Sequence, residues 1–84
     1  MTNTRTVQVS KTAFTLLTTA ISGFITNRTG DVVYYRTASS LPAPGNDDCH
    51  ILENGESVPF SFLTSQNVYA IASGDGGKIV ITED

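Results

Sequence analysis

Along most of this chain apolar residues recur at every second position, in short runs separated by breaks rich in Gly, Asn and Asp. That period of two is the signature of half-buried strands. Arg5-Thr-Val-Gln-Val9 reads as a first strand, and its threonine-rich start suits a sheet edge. Val32–Arg36, Cys49–Leu52 and Ser57–Phe62 read as further strands. In the last of these, Val58, Phe60 and Phe62 share one face, and Pro59 marks an edge strand or a bulge. Asn67–Asp84 places two β-prone runs around Ser73-Gly-Asp-Gly-Gly77 and predicts a C-terminal hairpin. Asn27–Asp31, with Gly30 suited to a left-handed conformation, predicts another hairpin between Ile21–Asn27 and Val32–Arg36. Asn54-Gly55 gives a tight turn within Glu53–Glu56, and Leu63–Gln66 turns the chain once more.

Two stretches resist this pattern. Within Ser10–Thr26, Ala13, Phe14, Leu17 and Ile21 fall at helical spacing behind a capping Ser10, but the threonines and Gly23 are poor helix formers. The same residues read as two short strands, Phe14–Thr18 and Ile21–Thr26, the preferred reading beside the helical one. Thr37–Asp48 carries Pro42 and Pro44 and reads as a loop, either functional or a crossover between two sheets. The total is about seven short strands at even spacing, which predicts an all-β fold, a small antiparallel sandwich or barrel. The expected core is Val7, Val9, Phe14, Leu16, Phe24, Val33, Ile51, Phe60, Phe62, Tyr69, Ile71, Ile79 and Ile81.

The 84 residues make a single domain, with residues 1–6 expected as a flexible or docking arm. A domain of this size hides only about 60–65% of its unfolded surface, so its core is thin and commonly reinforced by a disulfide, a metal or self-association. Cys49 stands alone, which excludes an internal disulfide and leaves self-association as a homo-oligomer or docking on a partner as the expected route. Charged residues make up only 15%, while threonine and serine supply 12 and 8 residues; such a surface suits broad protein contacts. The net charge of −3 and five scattered basic residues give no footprint for nucleic acid. No apolar run approaches a membrane span, and no apolar stretch after Met1–Thr6 resembles a secretory signal, so synthesis in a cytoplasm is expected.

Candidate chemistry is sparse. His50 and Cys49 are neighbours, which a strand points to opposite faces, so they cannot form a nucleophile–base pair. The acidic residues Asp47, Asp48, Glu53 and Glu56 lack the regular spacing of a calcium loop and read as a solvated rim. Gly74-Asp-Gly-Gly77 lacks the Lys-Ser/Thr of a phosphate loop and reads as a turn. Asn27-Arg-Thr29 fits the glycosylation pattern without a secretory context. No enzyme, cofactor or metal is expected. Of the adjacent Tyr34 and Tyr35, one should face the core and one the surface, where it could stack on a sugar or fill a subunit interface.

The order of segments carries a resemblance. Ile25-Thr-Asn-Arg-Thr-Gly-Asp-Val-Val-Tyr34, Leu41-Pro-Ala-Pro44, His50-Ile-Leu-Glu-Asn-Gly-Glu-Ser57 and Val68-Tyr-Ala-Ile-Ala-Ser-Gly-Asp-Gly-Gly-Lys-Ile-Val-Ile-Thr-Glu83 together resemble small all-β virion structural proteins of tailed bacteriophages. The resemblance covers roughly residues 20–84 and implies a non-enzymatic particle component located in the virion, of capsid-decoration, head-fibre or tail-accessory type. It further implies self-association, possibly as a trimer, and docking on a larger phage structural protein such as the major capsid protein. The interface candidates are Tyr34, Tyr35, Leu41, Pro42 and Pro44. The alternative is a carbohydrate- or host-receptor-binding module built on the tyrosines.

Overall fold

Eight strands form among the residues described in the computed structural model, which are 3–45, 48–62 and 66–83. They are β1 (Asn3–Val9), β2 (Thr15–Thr18), β3 (Ser22–Arg28), β4 (Val33–Thr37), β5 (His50–Leu52), β6 (Ser57–Ser61), β7 (Val68–Ala72) and β8 (Gly77–Glu83). The ambiguous stretch after Ser10 is two strands, β2 and the start of β3, and no helix. Its helical spacing is overruled because the β-branched residues find ladder partners on β7, β6 and β8. One sheet has the order β1-β8-β3-β6 and the other β2-β7-β4-β5, with every pairing antiparallel. We call them sheets A and B. They stack face to face as a β-sandwich.

The connections differ from those the turns predict. The two runs of the expected C-terminal hairpin lie in different sheets, β7 in B and β8 in A. The expected hairpin of Ile21–Asn27 with Val32–Arg36 is likewise split, β3 in A and β4 in B. The Asn54-Gly55 turn, with Gly55 at φ +83°, also carries the chain from sheet B to sheet A. All three are arches, in which the chain reverses over the core instead of alongside itself. Among the described strands only β4 and β5 are both consecutive and paired. Their connection is the proline loop after Thr37, so the expected crossover is the one link that stays within a sheet. The turn expected at Leu63–Gln66 lies mostly outside the described residues. Asn3–Thr6, the described part of the expected arm, is the first half of β1 and pairs with Ile79's neighbours Val80 to Glu83 on β8.

The core lies between the sheets. Val9, Ile25, Ile79 and Ile81 from sheet A meet Leu17, Val33, Leu52, Val68, Ala70 and Ala72 from sheet B, with Val7, Tyr35, Val58, Phe60 and Phe62 at its margins. Three expected core residues, Leu16, Phe24 and Ile51, instead face outward, and their neighbours Leu17, Ile25 and Leu52 are buried. In each case two adjacent apolar residues occupy opposite faces of one strand, and only one can reach the core. Tyr69 and Ile71 are buried as expected, but on the outer face of sheet B, beneath Phe14, Ala38 and Cys49. β7 is therefore covered on both sides.

Asn27 ties the two sheets together from inside. Its side-chain amide is fully buried and donates to the carbonyls of Asp31 at 2.7 Å and Leu52 at 2.8 Å, while its Oδ1 accepts from the Thr29 N–H and Oγ1. Leu52 belongs to β5 of sheet B and Asn27 to β3 of sheet A, so one amide satisfies backbone groups of both layers. At the other side of the sandwich Arg5 pairs with Glu83 at 2.7 Å and donates to the Leu17 carbonyl, and buried Thr18 donates to Glu83. This links β1 and β8 to β2. The β7–β8 arch passes so close to the end of β1 that a Cβ on Gly76, at φ +95°, would collide with the Val9 carbonyl oxygen.

Candidate docking surface

The two outer faces of the sandwich differ in chemistry. Alternation from the buried positions sends Thr4, Thr6 and Gln8 of β1, Thr26 and Arg28 of β3, and Lys78 and Thr82 of β8 to the outside of sheet A. Hydroxyls there bond across strands, Thr4 to Thr82 at 2.9 Å and Thr26 to Ser57 at 2.6 Å. Exposed Phe24 and half-buried Val80, which lies between Thr6 and Thr26, are the apolar exceptions on this face.

The outside of sheet B is mainly apolar, with Arg36 beside Tyr69 its charged position. The registers Tyr34↔Ile51 and Tyr34↔Ile71 make one row across β5, β4 and β7, and Leu16↔Tyr69 extends the face to β2. Phe14 and the loop residues Ala38 and Cys49 cover Tyr69 and Ile71. Leu16, Tyr34 and Ile51 stay 45%, 37% and 60% exposed. Beside the row runs an open groove of about 420 Å³, walled by Tyr34, Ile51 and Ile71 on the sheet side, by Pro44 and Cys49 of the loop, and by Lys11. Covering a fully exposed large apolar side chain is worth about 1.5–3 kcal/mol, so covering these three half-exposed ones gains roughly 2–4 kcal/mol before the costs of association.

The interface candidates read from the sequence do not gather at one place. Tyr34 and Pro44 line this groove. Leu41, 61% exposed, and half-buried Pro42 line a shallower depression with Arg36 and Ser40. Tyr35 points the other way, between the sheets, where its ring lies 5.4 Å from that of His50. Burial, and then the negative charge of Glu56, raises its hydroxyl pKa above the ordinary tyrosine value. With Tyr35 and Tyr69 drawn into packing, Tyr34 is the one tyrosine left exposed, so the rings do not form a shared stacking platform. Leu16 and Ile51 are the surface residues that sequence reasoning missed. Their signal was the doublets Leu16-Leu17 and Ile51-Leu52, each of which must turn one apolar side chain outward.

The remaining groups are structural or solvated. Asn27 of the glycosylation pattern has every side-chain polar atom engaged inside the core. Cys49 is half-buried against the outer apolar cluster, and His50 is exposed on the opposite face of the chain. Among the described residues no three of His, Cys, Asp and Glu gather in a group able to hold a metal ion, and no helix is long and apolar enough to cross a membrane. Compared with protein-family models, curated proteins and solved structures, the chain has no match.

Proposed function

We propose that this protein is a non-enzymatic structural component of a phage particle, which decorates the capsid or attaches an accessory piece by laying the outer face of sheet B on a larger structural protein. The observation that carries the reading is the contrast between the two sheet faces. One carries mostly hydroxyls and cations, and the other leaves Tyr34 and Ile51 uncovered on the wall of a groove, with Leu16 exposed on β2 beyond β7. A contiguous apolar patch on so small a surface is the ordinary mark of a protein contact. The low charge content supports the same reading, because few ions must be desolvated when the face is buried. The setting in a particle comes from the resemblance of residues 20–84 to small virion proteins.

The test uses particles assembled without this chain and then mixed with the purified protein, with bound copies counted after sedimentation. Wild-type protein should saturate the particles. Ile51→Asp and Tyr34→Ser should bind at least tenfold more weakly while staying folded at the assay temperature, since both side chains lie on the outer face and not between the sheets. Equal binding by the variants, or no binding by the wild type, would defeat the proposal.

A further inference from the structure

A sandwich of two open sheets has four edges, and each exposes backbone groups that another strand could pair with. Three of them are blunted here. β5 is three residues long, and β2 is four residues long with a register shift between Leu16 and Thr18. β6 carries Pro59 at its centre. β1 is different: seven residues, in register with β8 from Asn3 to Val9 without a shift, and free of proline. Thr4, Thr6 and Gln8 are exposed, and among the described residues no strand lies beyond β1 in sheet A.

The direction of its free groups follows from the ladder. Asn27 turns its N–H and C=O toward β6, donating to Glu56 and accepting from Gly55. In an antiparallel sheet successive residues turn to alternate sides. Phe24, Thr26 and Arg28 therefore face β8, and their partners Thr82, Val80 and Lys78 face back. Ile79, Ile81 and Glu83 then face β1, where they pair with Val7, Arg5 and Asn3. What remains is that Thr4, Thr6 and Gln8 aim their N–H and C=O groups off the edge. The same count turns Pro59 off the edge of β6, so the missing N–H of that edge is its central donor.

We infer that β1 is a self-association edge, at which a second copy of this chain adds its own β1 antiparallel about a two-fold axis at Thr6. The sequence of the strand is self-complementary in that register. Thr6 faces Thr6, and Thr4 faces Gln8, so all three outward residues exchange hydrogen bonds with uncharged partners. On the other face Arg5 meets Val7 and Asn3 meets Val9. The one charge on the strand never faces its own copy, and it is already neutralised by Glu83. Shifting the axis to Arg5 would bring two guanidinium groups opposite each other. Pairing at Thr6 joins the two four-stranded sheets into one continuous sheet and closes at two subunits. This edge is distinct from the apolar face of sheet B and stays available whether or not that face is docked.

Light scattering behind a sizing column, on the full chain at concentrations up to about 1 mM, should give twice the single-chain mass of 8.9 kDa. In the same samples the amides of Thr4, Thr6 and Gln8 should be protected from hydrogen exchange, with protection that fades on dilution. Thr6→Pro removes an outward donor that sheet A does not use, so it should leave the melting temperature within a few degrees and return the mass to that of one chain. Should that variant not fold, Thr6→Lys sets like charges opposite each other at the axis and should give a monomer at low salt that pairs again at high salt. A wild-type monomer at 1 mM, a threefold mass, unprotected Thr4, Thr6 and Gln8 amides in an oligomer, or a folded Thr6→Pro that keeps the doubled mass would each overturn the inference. None of these outcomes depends on particle binding.

Discussion

Replacing Asn27 with alanine isolates the worth of one buried amide that serves both sheets. The substitution removes four hydrogen bonds of 2.7–2.9 Å: two donated to the Asp31 and Leu52 carbonyls and two accepted from Thr29. They are not equal. The Leu52 carbonyl lies inside the sandwich, where water cannot replace the lost donor, and stranding it costs about 1–3 kcal/mol. Asp31 O and the Thr29 N–H sit nearer the surface and can recruit water, at roughly 0.5 kcal/mol each. The space vacated by the carboxamide adds a packing penalty of about 1 kcal/mol. The sum is about 3–5 kcal/mol, a large part of the stability of a domain near the low end of the usual 5–15 kcal/mol range. At about 4–8 °C per kcal/mol for a chain of this size, the melting temperature should fall by roughly 12–40 °C. Thermal unfolding followed by circular dichroism and a urea titration would measure it. Asn27→Asp keeps the acceptor toward Thr29 but turns oxygens toward two carbonyl oxygens, so it should be at least as damaging at neutral pH and recover partly in acid, where a protonated carboxyl can donate again. A fall of less than about 4 °C for Asn27→Ala would refute the claim that this amide holds the layers together.

Two further perturbations test the side chains around it. The Glu83 carboxyl is held below its ordinary pKa, first by the hydrogen bond from Arg5 and then by that from Thr18. A depressed folded-state value means that its stabilisation is complete above the unfolded value, about 4.3, and is lost as pH falls through the lower folded value. Glu83→Gln should therefore be less stable than wild type at neutral pH, with the gap narrowing in urea titrations toward pH 3; a gap constant with pH would show that the carboxylate charge is not involved. The doublet Ile51-Leu52 reports on which face is inside: Leu52→Ala should cost about 2–5 kcal/mol and Ile51→Ser less than about 0.5 kcal/mol, measured by urea midpoints, and the reverse order would invert the strand.

How much of this is legible in the sequence differs from element to element. The strands are, because a period of two broken by Gly and Asn turns has few other readings. Which sheet each strand joins is not. Gly30, Gly55 and Gly76 supply the positive φ of a chain reversal, and such a reversal looks the same in sequence whether the next strand lies beside the last or above it. The inward phase is legible where polar and apolar residues alternate, as in Val58-Pro-Phe60, and not at Leu16-Leu17, Phe24-Ile25 or Ile51-Leu52, where both phases are apolar. Those unreadable doublets also created the exposed patch, so the same ambiguity hid Leu16 and Ile51 from the candidate surface. Asn27 read as a turn or glycan position because nothing in Asn-Arg-Thr reveals that a carbonyl from β5 will be waiting for its amide.

The order in which the strands enter the sheets also governs how this chain can acquire its structure. β7 is inserted between β2 and β4, and β8 between β1 and β3, so the two strands nearest the end of the described chain occupy interior places in both sheets. A nascent chain emerging from a ribosome as far as Ser61 would hold β1 and β2 with no neighbour to bond, and only the β4–β5 and β3–β6 ladders could exist. Closing the rest requires bringing together residues nearly the whole chain apart, as in Asn3↔Glu83, which places the domain among slow, non-local folders. Folding must wait until β8 has left the ribosome, and a stop codon before Gly77 would abolish the domain outright instead of trimming it.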